Sequence, residues 1–411
     1  MKGNYKVTII GASIAGCIAA LMYAEKGIKV LIIDKLTSIE SYKRHCTHFV
    51  QPCGIPILKR LNLFKDIDQL GLRSKARFWT GAGWLESKKN NYTNDEYAIN
   101  LERSKFDPYI KNVVNKHPLI ELKLNANLTS IVVDDDKKHL VSYSIDNEIY
   151  TQESNLVVAA DGRYSNVAKI VDNPTTIYPN DRFVYFAYYK DLEIKNTNFS
   201  DFWVLGENIA FIYPLLDQQS LIALYIHDTE KKEWKKDPEM NFNKLVNSLH
   251  DGPNINNATC LTSIIGMSDI RTFLRNPLHQ EIPFIGDAAL SLDPAAGTGC
   301  SFALLTASWL VDYTSGNIED PKKLEESLVQ YAKKHSEWMV PHVKGITADS
   351  LVTKDVNSDN KFYTKIIESE KLTEAFLDLT GRLITPKEFY KIIFKESIAQ
   401  RKKQVALKVN Q

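Results

Sequence analysis

Val7-Thr8-Ile9-Ile10-Gly11-Ala12-Ser13-Ile14-Ala15-Gly16-Cys17-Ile18-Ala19-Ala20-Leu21-Met22-Tyr23-Ala24 carries no charged residue and changes character in its middle. The first four residues are β-branched, Gly11-Ala12-Ser13 is turn material, and Ile14 to Ala24 is rich in alanine. Lys29-Val30-Leu31-Ile32-Ile33-Asp34 then supplies a second strand. Lys2 and Lys6 ahead of an uncharged run superficially suggest a signal peptide or membrane span, but a buried strand–turn–helix–strand explains both halves. Residues 4–34 are thus predicted to be a βαβ unit. Gly11-Ala12-Ser13-Ile14-Ala15-Gly16 fits the dinucleotide fingerprint except that Ser13 replaces the middle glycine, which lets the backbone approach a pyrophosphate. The serine hydroxyl can itself bond a phosphate oxygen. Asp34 ends the second strand where a carboxylate for a ribose hydroxyl pair is expected. This motif alone does not separate NAD from FAD.

A chain of 411 residues buries a large core in two to three domains or one multi-lobed unit. The net charge of +1 gives no bulk electrostatic case for nucleic acid. Cys17, Cys46, Cys53, Cys260 and Cys300 are sparse and lack metal-ligand spacing, so they read as reduced thiols of a cytoplasmic protein with no metal centre.

Residues 52–72 are predicted to be helical, ending at Gly71, and residues 103–116 helical again. Two short strands flank Asp134-Asp135-Asp136, a solvated hairpin tip. Asn155 to Ala160 reads as a buried strand ending on Asp161-Gly162. Between 176 and 265, aromatic and β-branched runs at hairpin spacing predict an antiparallel sheet inserted between two pieces of an α/β domain. Most of its aromatics read as core and a minority as pocket lining. After residue 299 the chain is predicted to be mainly helical, and Pro386 to Val409 to be a terminal helix docked on the body with a basic outer face, in preference to membrane-surface or partner attachment.

Ile285-Gly286-Asp287-Ala288-Ala289-Leu290-Ser291-Leu292-Asp293-Pro294-Ala295-Ala296-Gly297-Thr298-Gly299-Cys300 reads as strand end, acidic turn, Gly-rich loop and helix start. A Gly-rich loop opening a helix presents free N–H groups and a positive dipole end. With an acidic side chain just upstream, it suits the ribityl and isoalloxazine parts of a flavin. Asp161-Gly162-Arg163-Tyr164-Ser165-Asn166-Val167 follows its strand about 125 residues earlier.

The ordered set of three motifs closely resembles the flavoprotein monooxygenases of the para-hydroxybenzoate hydroxylase class, over roughly residues 5–320. The resemblance implies an α/β fold: an FAD-binding Rossmann-like domain of glutathione-reductase type (1–75, 98–175 and 266–345), an inserted antiparallel substrate-binding sheet (76–97 and 176–265) and a helical C-terminus (346–411). It implies bound FAD, with NADPH or NADH as transient reductant or a separate flavin reductase in its place. O2 would form a flavin C4a-hydroperoxide that hydroxylates or epoxidises a small aromatic or unsaturated substrate. The implied cofactor contacts are Gly11, Ser13, Ile14, Ala15 and Gly16 at the pyrophosphate, Asp34 and Lys35 at the adenosine ribose, and Leu128 near the adenine. Arg44 and Arg103 would lie along the pyrophosphate and ribityl, Asp161 and Gly162 would form the second motif, and Asp287 would bond the ribityl or pyrophosphate. Pro294, Gly297, Thr298, Gly299, Cys300 and Ser301 would run under the isoalloxazine, with the helix start favouring negative charge on the reduced ring.

The chain departs from the pattern in Leu290, where the family commonly has His, in Ser301, where it has Asn, and in Lys169, where an arginine is frequent. Asp293-Pro294 is closer to flavin-dependent halogenases and geranylgeranyl-type reductases. The alternatives are therefore a reductase of an isoprenoid-like substrate, a halogenase, although Ile209 to Pro214 lacks that class's tryptophan, and a flavin-free escort-type binding protein of the same fold. No catalytic side chain is assigned. His45 and His48 read as surface or structural residues rather than general bases, and Cys300 as a small residue packed at a helix start.

Overall fold

A computed structural model describes residues 4–44, 46, 48–88, 97–134, 137–351 and 355–409. His45 and the Asp135-Asp136 tip of the acidic turn lie outside them. Val7–Ile10 is a strand buried along its whole length, the environment that an apolar run without polar alternation requires. It pairs in parallel with Val30–Ile33 on one side and Leu156–Ala159 on the other, and Ile120–Lys123 extends the sheet beyond Val30–Ile33. A parallel bridge from Ala159 to Phe284 brings the segment before Gly286 to the opposite edge. Parallel strands share a direction, so the loops after their carboxyl ends gather at one edge of the sheet.

Helices Ile14–Glu25, Arg103–Lys116 and Gly299–Thr314 cover one face. The other face meets a three-stranded antiparallel sheet between 127 and 154, and Met339 and Val343 of the long helix Pro321–Leu351. Helix Ile14–Glu25 is buried through Ala24, which fits a helix apolar all round. It ends where Gly27 takes φ +77 and the amides of Gly27 and Ile28 return to the carbonyls of Ala24 and Tyr23 at 2.9 and 3.1 Å. This is a Schellman motif.

The same device corrects the expectation of one helix over 52–72. A 3-10 turn, Pro52–Gly54, leads into helix Ile55–Arg60, and a second helix spans Phe64–Leu70. Between them Asn62 has φ +55, and the amides of Asn62 and Leu63 close back on Lys59 and Leu58, each at 3.0 Å. Asparagine tolerates this left-handed position and so stops the helix.

Strands Arg182–Lys190, Phe199–Leu205, Asn208–Pro214 and Gln219–His227 form the expected antiparallel sheet. One junction differs: Phe199–Trp203 runs parallel to Lys75–Trp79. That pairing draws in Leu72–Thr80, then Ala98–Asn100 and Phe49–Val50, so the sheet reaches back to the loop after the second parallel strand. A parallel pair needs a long connection rather than a hairpin, which local turn signals do not report.

Four helices follow Thr314 among the described residues: Pro321–Leu351, Val356–Ile367, Glu370–Thr380 and Pro386–Val409. Phe389 of the last is buried with Leu85, Ile366, Leu372 and Ala375, so this helix docks on the body. Among the described residues no helix is long and apolar enough to cross a membrane.

His335 in the long helix is 1% exposed and its Nε2 has no partner among the described residues. Burial pushes its pKa down to about 4, against roughly 6.5 in an unfolded chain. A folded value below the unfolded one means full stability above pH 6.5, lost progressively as pH falls towards 4. At pH 5 the loss from this group is on the order of 2 kcal/mol. Denaturant unfolding at pH 7.5 and pH 5 checks this: in His335→Phe the acid-dependent drop shrinks by about that amount.

Candidate active site

A Cβ on Gly11, at φ +112, would stand 2.3 Å from the Ala160 carbonyl oxygen, and one on Gly16 would stand 1.9 Å from that of Gly11. The turn after the first strand therefore touches both its own helix and the Asp161-Gly162 turn. Ser13 is the N-cap residue but makes no side-chain capping bond. Its hydroxyl accepts from Arg103 Nη2 at 3.1 Å, and the amides of Ile14, Ala15 and Gly16 lie in the first turn, where no intrahelical acceptor exists. The Asp34 carboxylate accepts from the amides of Ala12 and Leu36, the latter at 2.7 Å. Lys35 is exposed.

Arg103 is the hub. It begins its helix and is 4% exposed, with Nε and Nη2 on Asp107 at 2.6 and 2.8 Å. Nη1 lies 3.8 Å from the Cys46 sulfur and 3.9 Å from that of Cys300. Burial opposes its charge, but Asp107 and the neighbouring thiols outweigh that and hold the guanidinium above its ordinary range. The Arg103 amide donates to His48 Nδ1 at 3.0 Å, and His48 Nε2 meets the Tyr188 hydroxyl. Burial lowers the His48 pKa, so this imidazole is a neutral structural link. Cys300 is buried at its helix start, and its thiol donates to Cys46, pulling Cys46 below and pushing Cys300 above the usual thiol range.

The third motif lies against the first. Gly286 has φ +55, and a Cβ there would come 2.8 Å from that of Ala15. Asp287 pairs with Lys43 Nζ at 2.7 Å, whereas Arg44 is exposed and has no side-chain partner among the described residues. Lys43 was not singled out from sequence; of two adjacent exposed cations, only the fold shows which one reaches Asp287. Asp293 accepts from the Ala295 amide at 2.9 Å and from Asn180 at 2.8 Å, capping the turn Pro294–Ala296. Thr298 precedes helix Gly299–Thr314 without a side-chain cap, so the amides of Gly299, Cys300 and Ser301 stay free of intrahelical bonds. Ser301 Oγ accepts from the Gln51 amide at 2.7 Å, and Gln51 Nε2 donates to Ala296 O at 2.9 Å.

The second motif is largely consumed by the fold. The Asp161 carboxylate accepts from Ser165 Oγ at 2.6 Å and from the amides of Asn166 and Val167 at 2.6 and 3.0 Å, while Gly162 turns at φ +83. Asn166 Nδ2 donates to the Leu128 carbonyl at 3.2 Å.

In front of Ala295, Ala296 and Gly297 lies a cavity of ≈ 400 Å³. Phe49, Phe78, Phe202 and Tyr213 form its sheet wall, while Phe183, Trp203 and Phe211 belong to the core. Phe49 stacks on Tyr213 at 4.9 Å and Phe78 on Phe202 at 4.8 Å. The opposite wall comes from the C-terminal helices, through His342, Phe376, Arg382 and Phe389. Arg182 ties the walls together with bonds to the side chain and carbonyl of Asp349, both at 3.0 Å.

Two uncapped helix starts, a buried arginine on the first loop and a backbone closeness that only glycine permits fit a dinucleotide with a diphosphate. Residues 4–311 match the FAD binding domain family. The chain belongs to that family. It is a FAD-dependent oxidoreductase, and membership sets aside the flavin-free escort reading. Among curated proteins it is similar to digeranylgeranylglycerophospholipid reductase 1 of Methanococcoides burtonii, 22% identical over 342 residues, covering 81% of this chain and 80% of that one. Among solved structures it resembles p-nitrophenol 4-monooxygenase PnpA from Pseudomonas putida, with TM-score 0.75, 18% identity and coverage of 94% and 100%. It also resembles the flavin-dependent brominase Bmp2, with TM-score 0.76, 19% identity and coverage of 97% and 99%. The two structural likenesses establish the fold. No group of side chains suited to a metal ion occurs among the described residues.

Proposed function

We propose that the protein is a FAD-dependent monooxygenase using NAD(P)H and O2 to hydroxylate or epoxidise a small aromatic or unsaturated substrate. The observation that carries this reading is the cavity. It is walled by aromatic rings, opens onto Ala295–Gly297, and has the volume of a pocket for a drug-sized ligand. When bound, FAD supplies electron transfer from NAD(P)H to oxygen. On this reading the Gly11–Gly16 turn and Arg103 hold the diphosphate, Asp34 the adenosine ribose, and Asp287 with Lys43 the ribityl. Pro294 to Ser301 flank the ring system, and the positive end of helix Gly299–Thr314 favours negative charge on it. The Phe49, Phe78, Phe202 and Tyr213 wall keeps water from the reacting atoms. The Gln51 side-chain amide and the Tyr213 hydroxyl lie nearest Gly297, and Gln51 Oε1 and the Tyr213 hydroxyl have no partner among the described residues.

A second reading, saturation of a double bond in an isoprenoid-like substrate, is favoured by the Methanococcoides reductase, whose likeness covers four-fifths of both chains. The two readings separate in one experiment. The holoprotein is reduced anaerobically with NADPH, with and without aromatic ligands, and then mixed with labelled oxygen. Ligand-stimulated bleaching followed by label in the product is the expected result. Reduced protein that saturates an alkene without oxygen, and oxygenates no ligand, replaces the first reading with the second.

A further inference from the structure

The C-terminal wall of the cavity carries Arg382, a cation for which no carboxylate partner occurs among the described residues. Helix Glu370–Thr380 ends in a Schellman turn: the amides of Arg382 and Leu383 return to Leu379 and Asp378 at 3.2 and 2.8 Å. Arg382 occupies the left-handed position of that turn, at φ +61, where glycine is usual. The turn rests beside Pro52, since a Cβ on Gly381 would come 3.2 Å from Pro52 Cγ.

Arg382 lines the cavity. Its Nε is shut from solvent without an acceptor, and its one polar contact among the described residues is from Nη1 to His342 Nδ1 at 3.5 Å. Arginine only donates, so Nδ1 accepts and the His342 proton sits on Nε2. That Nε2, on a residue that lines the cavity, is buried and has no partner among the described residues. Burial, then Arg382 itself, pushes the His342 pKa down to about 3, leaving the ring neutral. Burial pulls Arg382 down to about 10, with the thiol of Cys53 its only opposing neighbour.

The acids around the cavity are engaged elsewhere. Asp293 caps its turn, Asp349 pairs with Arg182, Glu374 accepts from Ser87 at 2.7 Å, and Asp378 has its own partner. Buried donors without acceptors are costly in an empty site and become an asset when a ligand brings the acceptor.

We propose that Arg382, with His342 Nε2 beside it, is the anion-recognition site of the cavity, and that the substrate is an apolar, ring-bearing molecule with a carboxylate. This rests on the aromatic cavity being the substrate site, and not on which reaction follows. The test is binding to the oxidised holoprotein, read by the visible absorption of the flavin, with 2-naphthoate and its uncharged counterpart 2-naphthol. Wild type is expected to favour the carboxylate on the order of 10- to 100-fold. Arg382→Met removes that preference while retaining flavin, the thermal midpoint and 2-naphthol binding, and Arg382→Lys keeps part of it. Equal or absent binding of the two probes by wild type overturns the proposal. So does a preference that survives in Arg382→Met, or loss of flavin from that variant, which would place the guanidinium on the cofactor. No reductant or oxygen is present, so absence of oxygen transfer in the earlier experiment leaves this result standing.

Discussion

Gly16→Ala is expected to yield a protein that retains no flavin and unfolds more readily. The added methyl would lie 1.9 Å from the Gly11 carbonyl oxygen. Both groups belong to backbone that packs against the parallel sheet, so no side-chain rotation relieves the clash. Overpacking of this kind costs about 1–3 kcal/mol, and the shift needed to relieve it moves the amides of Ile14 to Gly16. A comparable loss in binding is on the order of 100-fold in FAD affinity. The control is Gly27→Ala, where nothing stands within 4 Å but φ is +77; it costs about 1 kcal/mol through backbone strain and keeps its flavin. The ratio of visible to ultraviolet absorbance after purification, with the thermal midpoint, measures both effects. A fully yellow Gly16→Ala protein would show that the turn does not hold the diphosphate.

Arg103→Met should be the most damaging single side-chain replacement in the site. It leaves the Asp107 carboxylate, 2% exposed, without its nearest cation. Breaking a buried pair from one side costs about 3–5 kcal/mol. Removing both charges, as in Arg103→Met with Asp107→Leu, is expected to restore most of the stability. If Arg103 also binds the cofactor, the double variant folds but stays colourless. Denaturant midpoints and flavin content separate these effects, and a stable double variant that retains FAD would confine Arg103 to a structural role.

The parallel core was legible because its strands are buried on both faces and read as unbroken apolar runs, and because Gly11, Gly16 and Asp34 fall at spacings set by geometry. The Gly-rich turn that opens helix Gly299–Thr314 was legible for the same reason. What escaped was side-chain direction and long-range pairing. Lys43 and Arg44 are adjacent cations, and only Lys43 reaches Asp287. The Asn62 stop was hidden inside a run of suitable apolar spacing, since one left-handed residue is enough to end a helix. The parallel junction between Phe199–Trp203 and Lys75–Trp79 joins segments far apart in sequence, where no local pattern points to a partner. Arg382 and His342 were invisible as a pair because they lie 40 residues apart in sequence and meet only through the fold.

The two walls of the cavity also differ in when they come into being. During synthesis the Gly11–Gly16, Asp161-Gly162 and Gly286–Gly299 turns and the aromatic sheet, all within residues 4–311, emerge before the helices that carry His342, Arg382 and Phe389. A growing chain therefore exposes the sheet wall of the cavity to water first and closes the cavity last. On the placement of FAD proposed above, order of translation gives the dinucleotide an approach that the finished fold narrows.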